Sequence, residues 1–291
     1  MIGKIIKGIG GFYTIACEDS KYICKAKGIF RKHNIKPMIG DDVVFSPPTT
    51  EEEEGVIEQI LDRKNSPLRP AVANVDQILI VFAIKSPDLQ LYLLDKYLVM
   101  MARWNVPVAI VFNKIDLVSD EDILKYVGLY SDIGYKTFAC SAKEGSGLDE
   151  IKGFMLGKTT ALAGPSGVGK STLTNILCPA ATMQTGLLSQ KINRGKQTTR
   201  HSELFVVDYN TYLCDTPGFT SLYLLDIERK DLQLYFEEFI NHIGKCKYNG
   251  CIHISEPDCS VKNAVGDASI ARSRYDNYKK MLDEINERKY K

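Results

Sequence analysis

GPSGVGKST, residues 164–172, decides how this chain is read. It fits G-x-x-x-x-G-K-[ST], the loop that wraps nucleotide phosphates. Gly164, Gly167 and Gly169 let the main chain approach phosphate oxygens, with Pro165, Ser166 and Val168 between them. Lys170 is placed to reach the β- and γ-phosphates, and Ser171, followed by Thr172, to bind Mg²⁺. The apolar run TTALAG, residues 159–164, reads as a strand entering the loop, and residues 170–177 read as a helix leaving it. That helix turns its positive end toward an anion.

The sequence around the loop alternates. QILIVFA (77–83) and VPVAIVF (106–112) are continuous apolar strands, with helical apolar spacing over 89–104 between them. A helix near 120–128, a strand at 135–140 and a helix near 148–156 follow, and ELFVVD (203–208) with TYLCD (211–215) suggests a hairpin. Strands buried on both faces and alternating with helices predict a parallel-rich α/β sheet.

Three further motifs each follow a strand. In NKID, made of Asn113, Lys114, Ile115 and Asp116, the carboxylate can accept two hydrogen bonds from the N1–H and N2–H₂ edge of guanine. Adenine cannot supply that pair. In SAK, made of Ser141, Ala142 and Lys143, a backbone N–H is placed to reach guanine O6. DTPG carries Asp215 for the Mg²⁺ side and Gly218 to sense the γ-phosphate. Ligands of such sheets bind at the carboxyl ends of the strands, so the four motifs together predict a guanine-nucleotide site. Their order is unusual: NKID, SAK, phosphate loop, the pair Thr198 and Thr199, then DTPG. In most GTPases the phosphate loop comes first and SAK last. One cyclic shift interconverts the two orders, with the join near residues 156–158 and the 77–83 strand in the slot that normally follows DTPG.

The flanks are of other kinds. Residues 1–62 read as short strands, KIIKGIGGFYTIAC (4–17), KYICKAKGIF (21–30), DDVVFS (41–46) and GVIEQIL (55–61), with no helical period, a small barrel of four or five strands such as an OB-fold. DRKNSPLRP (62–70) reads as a linker. Residues 1–40 carry eight Lys/Arg against two acids, which is either a solvated basic face or a backbone-tracking RNA surface. Across all 291 residues the net charge is only +1, so the chain as a whole has no nucleic-acid signature. No apolar run reaches the roughly 18 residues of a membrane span. The N-terminus has no signal-peptide pattern, so a cytoplasmic location is expected. Of eight cysteines, Cys17, Cys24, Cys140, Cys178 and Cys214 are scattered in apolar surroundings. Cys246, Cys251, His253 and Cys259 cluster as C-x4-C-x-H-x5-C. Three thiolates and an imidazole suit one closed, structural zinc site; reduced cysteines in a polar loop are the alternative.

A strand-rich N-terminal region, a cyclically shifted GTPase order and a C-terminal Cys/His cluster closely resemble the ribosome small-subunit-dependent GTPases of bacteria. The resemblance covers the whole chain, including RPAVANVD (69–76), RGKQTT (194–199) and DTPGF. It implies an OB-fold RNA-binding domain over 1–65, a circularly permuted GTPase domain over 66–221 and a mainly α zinc-binding domain over 222–291. It also implies GTP hydrolysis stimulated by the small ribosomal subunit and its rRNA, and a role in late maturation of that subunit. A monomer that engages no membrane is expected. The DTPG segment leads into the C-terminal domain, so movement near Gly218 on hydrolysis is expected to shift that domain.

Two residues depart from common patterns. Phe219 stands where many GTPases carry a water-orienting Gln after D-x-x-G. Members of the resembled family often carry a His before the Thr pair, and this chain has Gln197. Gln197, with Thr199 and Lys170, is the expected catalytic set, and His201 or rRNA is the competing water positioner. The fourth residue of the phosphate loop is Gly167, not the Asn of potassium-activated GTPases, so no K⁺ site is expected. A P-loop ATPase or kinase conflicts with NKID. A non-hydrolysing RNA-binding protein conflicts with an intact Lys170, Ser171 and Asp215.

Overall fold

The structure is a computed structural model that describes residues 1–33, 35–50, 53–65, 72–181, 203–215, 224 and 227–289. Its first part is a closed barrel of five strands: β1 (Ile2–Ile9), β2 (Phe12–Cys17), β3 (Ser20–Ala26), β4 (Asp42–Ser46) and β5 (Gly55–Ile60), in the order β1-β2-β3-β5-β4. Antiparallel pairing of β1 with β4 closes the ring, and the β3–β5 pair is parallel. Alternating residues fill the interior, among them Ile5, Ile15, Cys24, Val43, Phe45 and Ile57. The strand expected to run through residue 30 stops at Ala26, and Gly28–Lys32 forms a short helix, α1. Gly28 interrupts the two-residue alternation, and the helical turn carries Phe30 into the barrel core, where it is 8% exposed.

The second part is a six-stranded sheet of β6 (Gln77–Ala83), β7 (Val108–Asn113), β8 (Lys136–Cys140), β9 (Thr159–Ala163), β10 (Leu204–Asp208) and β11 (Thr211–Asp215), in the order β10-β11-β9-β6-β7-β8. β10 and β11 form the expected antiparallel hairpin, and all the other pairs are parallel. β6 lies between β9 and β7, the slot that the cyclic shift requires. Successive side chains point to opposite faces. Ile78, Ile80, Phe82, Ile110 and Phe112 pack on one face, with α2 (Leu91–Arg103) and Tyr130 of α3 (Asp120–Ser131). Leu79, Val81, Ala109, Val111 and Leu162 pack on the other, with α4 (Leu148–Met155) and α5 (Lys170–Leu177).

The C-terminal part is mainly helical: a 3-10 turn at Leu232–Tyr235, α6 (Glu237–Ile240), α7 (Ser260–Gly266) and α8 (Arg272–Lys289). Its core residues Phe236, Phe239, Tyr278 and Met281 continue the α2 side of the sheet core. The expected linker is tied down where it is described. Arg63 pairs with the buried Asp41 carboxylate at 2.6 and 2.9 Å, and the Asn65 carboxamide donates to Val75 O at 2.7 Å. Residues 66–71 lie outside the described residues.

Candidate guanine-nucleotide and metal sites

The phosphate loop leaves β9 and enters α5. Gly164 has φ +133, and a Cβ there would lie 2.1 Å from Val81 O. Gly169 has φ +95, and a Cβ there would lie 2.4 Å from the Asn113 carboxamide nitrogen. Both positions therefore demand glycine for conformation and for space. The Lys170 ammonium donates to the carbonyls of Gly164 (2.9 Å) and Pro165 (2.7 Å), which holds its charge at the mouth of the loop. Ser171 and Thr172 are in the first turn of α5.

Asn113 joins the three loops. It is 1% exposed at the end of β7. Its amide nitrogen donates to Val168 O of the phosphate loop at 2.8 Å, and its oxygen accepts from Ala142 N–H at 2.9 Å. The Ala142 N–H is therefore already engaged by Asn113, and a guanine O6 contact expected there would have to share it. Ser141, fully buried, donates its hydroxyl to Asp116 Oδ1 at 2.6 Å and aligns the carboxylate expected to read guanine. Lys114 adopts a left-handed φ of +64, which turns the chain from β7 into the short 3-10 helix holding Ile115 and Asp116. Its ammonium donates to Gly167 O at 2.7 Å and to Ser86 O. Lys143 is exposed beyond Ala142. The sequence reading missed Ser86, because nothing in a residue after an apolar strand signals that its carbonyl will face a lysine 28 positions on.

β11 is parallel to β9, and Asp215 pairs with Leu162, two residues before Gly164. The backbone therefore places Asp215 at the same sheet edge as the loop. A serine hydroxyl and a carboxylate are hard oxygen donors that suit Mg²⁺. The Asp215 side chain lies outside the described residues, as do Gln197, Thr198, Thr199, His201, Gly218 and Phe219.

The four clustered side chains converge. The ligand atoms of Cys246, Cys251, His253 and Cys259 lie within 4.8 Å of one another. His253 Nδ1 is 3.6, 3.4 and 3.3 Å from the three sulfurs, and Cys246 Sγ is 3.9 Å from Cys259 Sγ. A tetrahedral zinc with ordinary Zn–S and Zn–N bonds would set N···S edges of about 3.5 Å and S···S edges of about 3.8 Å. The donor set therefore fits one such ion. His253 Nε2 is 2.8 Å from Gln233 Oε1, which fixes the tautomer that leaves the Nδ1 lone pair facing the thiols. Gln233 was not legible from the sequence, since it lies 20 positions away on the 3-10 turn. Burial pushes the Cys251 thiol up to about 12 and holds His253 below its usual range. A bound cation supplies the charge that makes thiolates affordable here.

These features agree with what the chain is similar to. Residues 58–225 match the RsgA GTPase family, and residues 2–57 match the RsgA N-terminal domain. A small ribosomal subunit biogenesis GTPase RsgA of Agathobacter rectalis is 46% identical, with 100% of both chains covered. The protein of the same name from Clostridium botulinum (strain Eklund 17B / Type B) is 48% identical, over 98% of this chain and 97% of that one. Among solved structures, YloQ, described as a circularly permuted GTPase, is 35% identical with a TM-score of 0.81 over 99% of this chain and 95% of that one. YjeQ from Thermotoga maritima is 36% identical with a TM-score of 0.82 over 98% of each. Matches of this length, on a cyclically shifted sheet whose three nucleotide loops meet at Asn113, place the chain in the RsgA GTPase family.

Proposed function

We propose that the chain is a GTPase acting in biogenesis of the small ribosomal subunit, gripping the particle with GTP bound and releasing it after hydrolysis. Asn113 carries the reading. Through it the phosphate loop and the guanine-reading loops form one hydrogen-bonded unit, which supports a single nucleotide spanning them. Asp116 and the 141–143 loop select the base, residues 164–172 hold the phosphates, and Lys170 offsets their charge. Ser171, Asp215 and Thr199 would hold Mg²⁺, which would supply positive charge beside the phosphates. Zinc is assigned to Cys246, Cys251, His253 and Cys259 as a structural ion.

The 1–65 barrel is the proposed rRNA-binding domain, 66–221 the GTPase domain and 222–291 the zinc domain, in a monomer of the cytoplasm. No helix among the described residues is long and apolar enough to cross a membrane. Phosphoryl transfer rests mainly on positioning and charge stabilisation, so water placement matters more than a general base. Gln197 is the proposed water positioner, acting when the subunit is bound. Single-turnover GTP hydrolysis with and without small subunits tests this. Stimulation should be strong in the wild type and reduced in Gln197→Ala at nearly unchanged GTP affinity. If only His201→Ala loses stimulation, His201 takes the role.

A further inference from the structure

The two outer parts of the molecule rest on different halves of the GTPase sheet. The C-terminal part is fixed to α2 and α3. Arg274, 1% exposed, donates to Asp95 of α2 at 2.5 Å and to both Glu238 oxygens at 2.7 and 3.0 Å. Tyr130 of α3 and Asn277 of α8 donate to the same Asp95 carboxylate at 2.7 and 2.6 Å. Lys96 and Tyr92 of α2 hold Glu284 of α8. α2 and α3 flank β7, which carries the base-reading residues. None of these contacts involves β10 or β11.

The barrel, by contrast, rests on the β10–β11 hairpin. Lys7 of β1 contacts both Glu203 oxygens at 3.0 and 2.9 Å. The Lys4 ammonium lies 5.6 Å from the centre of the Tyr212 ring. Ile6 and Ala16 share a core with Leu204 and Tyr212. Toward the hairpin turn the two separate: a cavity of about 250 Å³ lies between Glu18 and Asp19 on the barrel and Tyr209 and Asn210 on the hairpin. Among the described residues the barrel is also tied down around the parallel bridge between Ile39 and Val72, where the Asn74 carboxamide donates to Gly40 O and Asp42 Oδ2 at 3.0 Å each.

In the sequence, the hairpin joins the RGKQTT segment (194–199), which ends four residues before Glu203, to DTPG, which begins at Asp215. The two segments that the proposed mechanism assigns to the γ-phosphate are therefore continuous in sequence with the element that seats the barrel. We infer that the nucleotide state is relayed through the β10–β11 hairpin to the N-terminal barrel, while the C-terminal region stays fixed to the base-reading half of the sheet. This rests on the GTPase reading. It is the alternative to the expectation that movement near Gly218 shifts the zinc-holding region, whose described anchors are on α2 and α3.

Coupling is reciprocal, so weakening the barrel–hairpin seat must change the preference between GTP and GDP. The Lys7–Glu203 pair is partly exposed, with side chains 39% and 35% accessible. An exposed pair contributes up to about 1 kcal/mol, so reversing one charge is expected to move the ratio of GDP to non-hydrolysable GTP-analogue affinities by up to about fivefold. The full chain is titrated with both nucleotides as wild type, Lys7→Glu, Lys7→Ala and Lys7→Glu/Glu203→Lys. Hydrogen exchange is compared between the two nucleotide states. Support is a ratio shifted in Lys7→Glu, shifted less in Lys7→Ala and restored in the double variant, with nucleotide-dependent protection in β1 and β2 but not α8. Equal changes for both nucleotides, no change, or protection differences in α8 without β1 would overturn the relay. A wild type that binds neither nucleotide would overturn the GTPase reading and the relay with it.

Discussion

Replacing Arg274 with methionine removes the guanidinium between α2, α6 and α8. The Asp95 and Glu238 side chains beside it are 0% and 4% exposed. Three charge-assisted hydrogen bonds disappear, one to Asp95 and two to Glu238. So does stacking over Phe236, whose ring centre is 4.7 Å from the guanidinium carbon. Removing one partner of a buried ion pair costs about 3–5 kcal/mol, because the opposite charge stays buried. Asp95 retains Tyr130 and Asn277, and burial already raises its pKa, so it can relieve part of the cost by taking up a proton. A loss near the lower bound, about 3 kcal/mol at neutral pH, is therefore expected. That corresponds to a fall in Tm of about 6–12 °C at the roughly 2–4 °C per kcal/mol of a chain this size.

The pH sign follows from the same shift. Arg274 holds the Asp95 pKa down against burial, so its loss raises the folded pKa beyond the wild type's; the folded variant then binds more protons, and its deficit shrinks as pH falls and grows as it rises. Urea unfolding at two pH values, with hydrogen exchange of α8 to assign the transition, measures both effects. Asp95→Asn/Arg274→Met/Glu238→Gln should recover most of the loss, since it buries no charge. A single variant within 1 kcal/mol of wild type, or a triple variant as unstable as the single, would refute the reasoning.

Three further outcomes are expected. Asp116→Asn should shift base preference from GTP toward XTP, since an amide replaces one acceptor oxygen with a donor; a competition assay that still favours GTP removes Asp116 as the base reader. Lys170→Ala should abolish turnover and weaken binding of both nucleotides, and normal hydrolysis by it would move the phosphate site elsewhere. Chelation should disorder residues 246–259 and reduce small-subunit association more than intrinsic GTP hydrolysis, because the Cys/His cluster lies outside the sheet that carries the nucleotide loops; metal analysis with both assays checks it, and intact association after metal loss would make the site a spectator.

The sheet was legible because each of its strands is a short apolar run and each motif sits where a run ends. QILIVFA could only be a strand buried on both faces, and β6 is buried along its whole length. The shifted motif order alone placed that strand beside the one entering the phosphate loop. Local spacing also marked Cys246, Cys251, His253 and Cys259 as one cluster, because chelating residues within a short loop need little help from the fold to meet. The end of β3 was misjudged, since alternation fades gradually and a helix of five residues leaves no period to read.

Tertiary structure decided everything carried by single long-range contacts. Asn113 bracing two loops, Ser141 aligning Asp116, Gln233 behind His253 and Ser86 under Lys114 are pairings between residues with no common local pattern. Above all, the sequence runs from DTPG straight into the C-terminal region, which suggests that the two move together. A buried charge must find its partner wherever the chain brings one, and Arg274 finds Asp95, 179 residues earlier, on a helix of the base-reading half. Chain order determined what is joined to DTPG; burial of that one cation decided what the C-terminal region packs against.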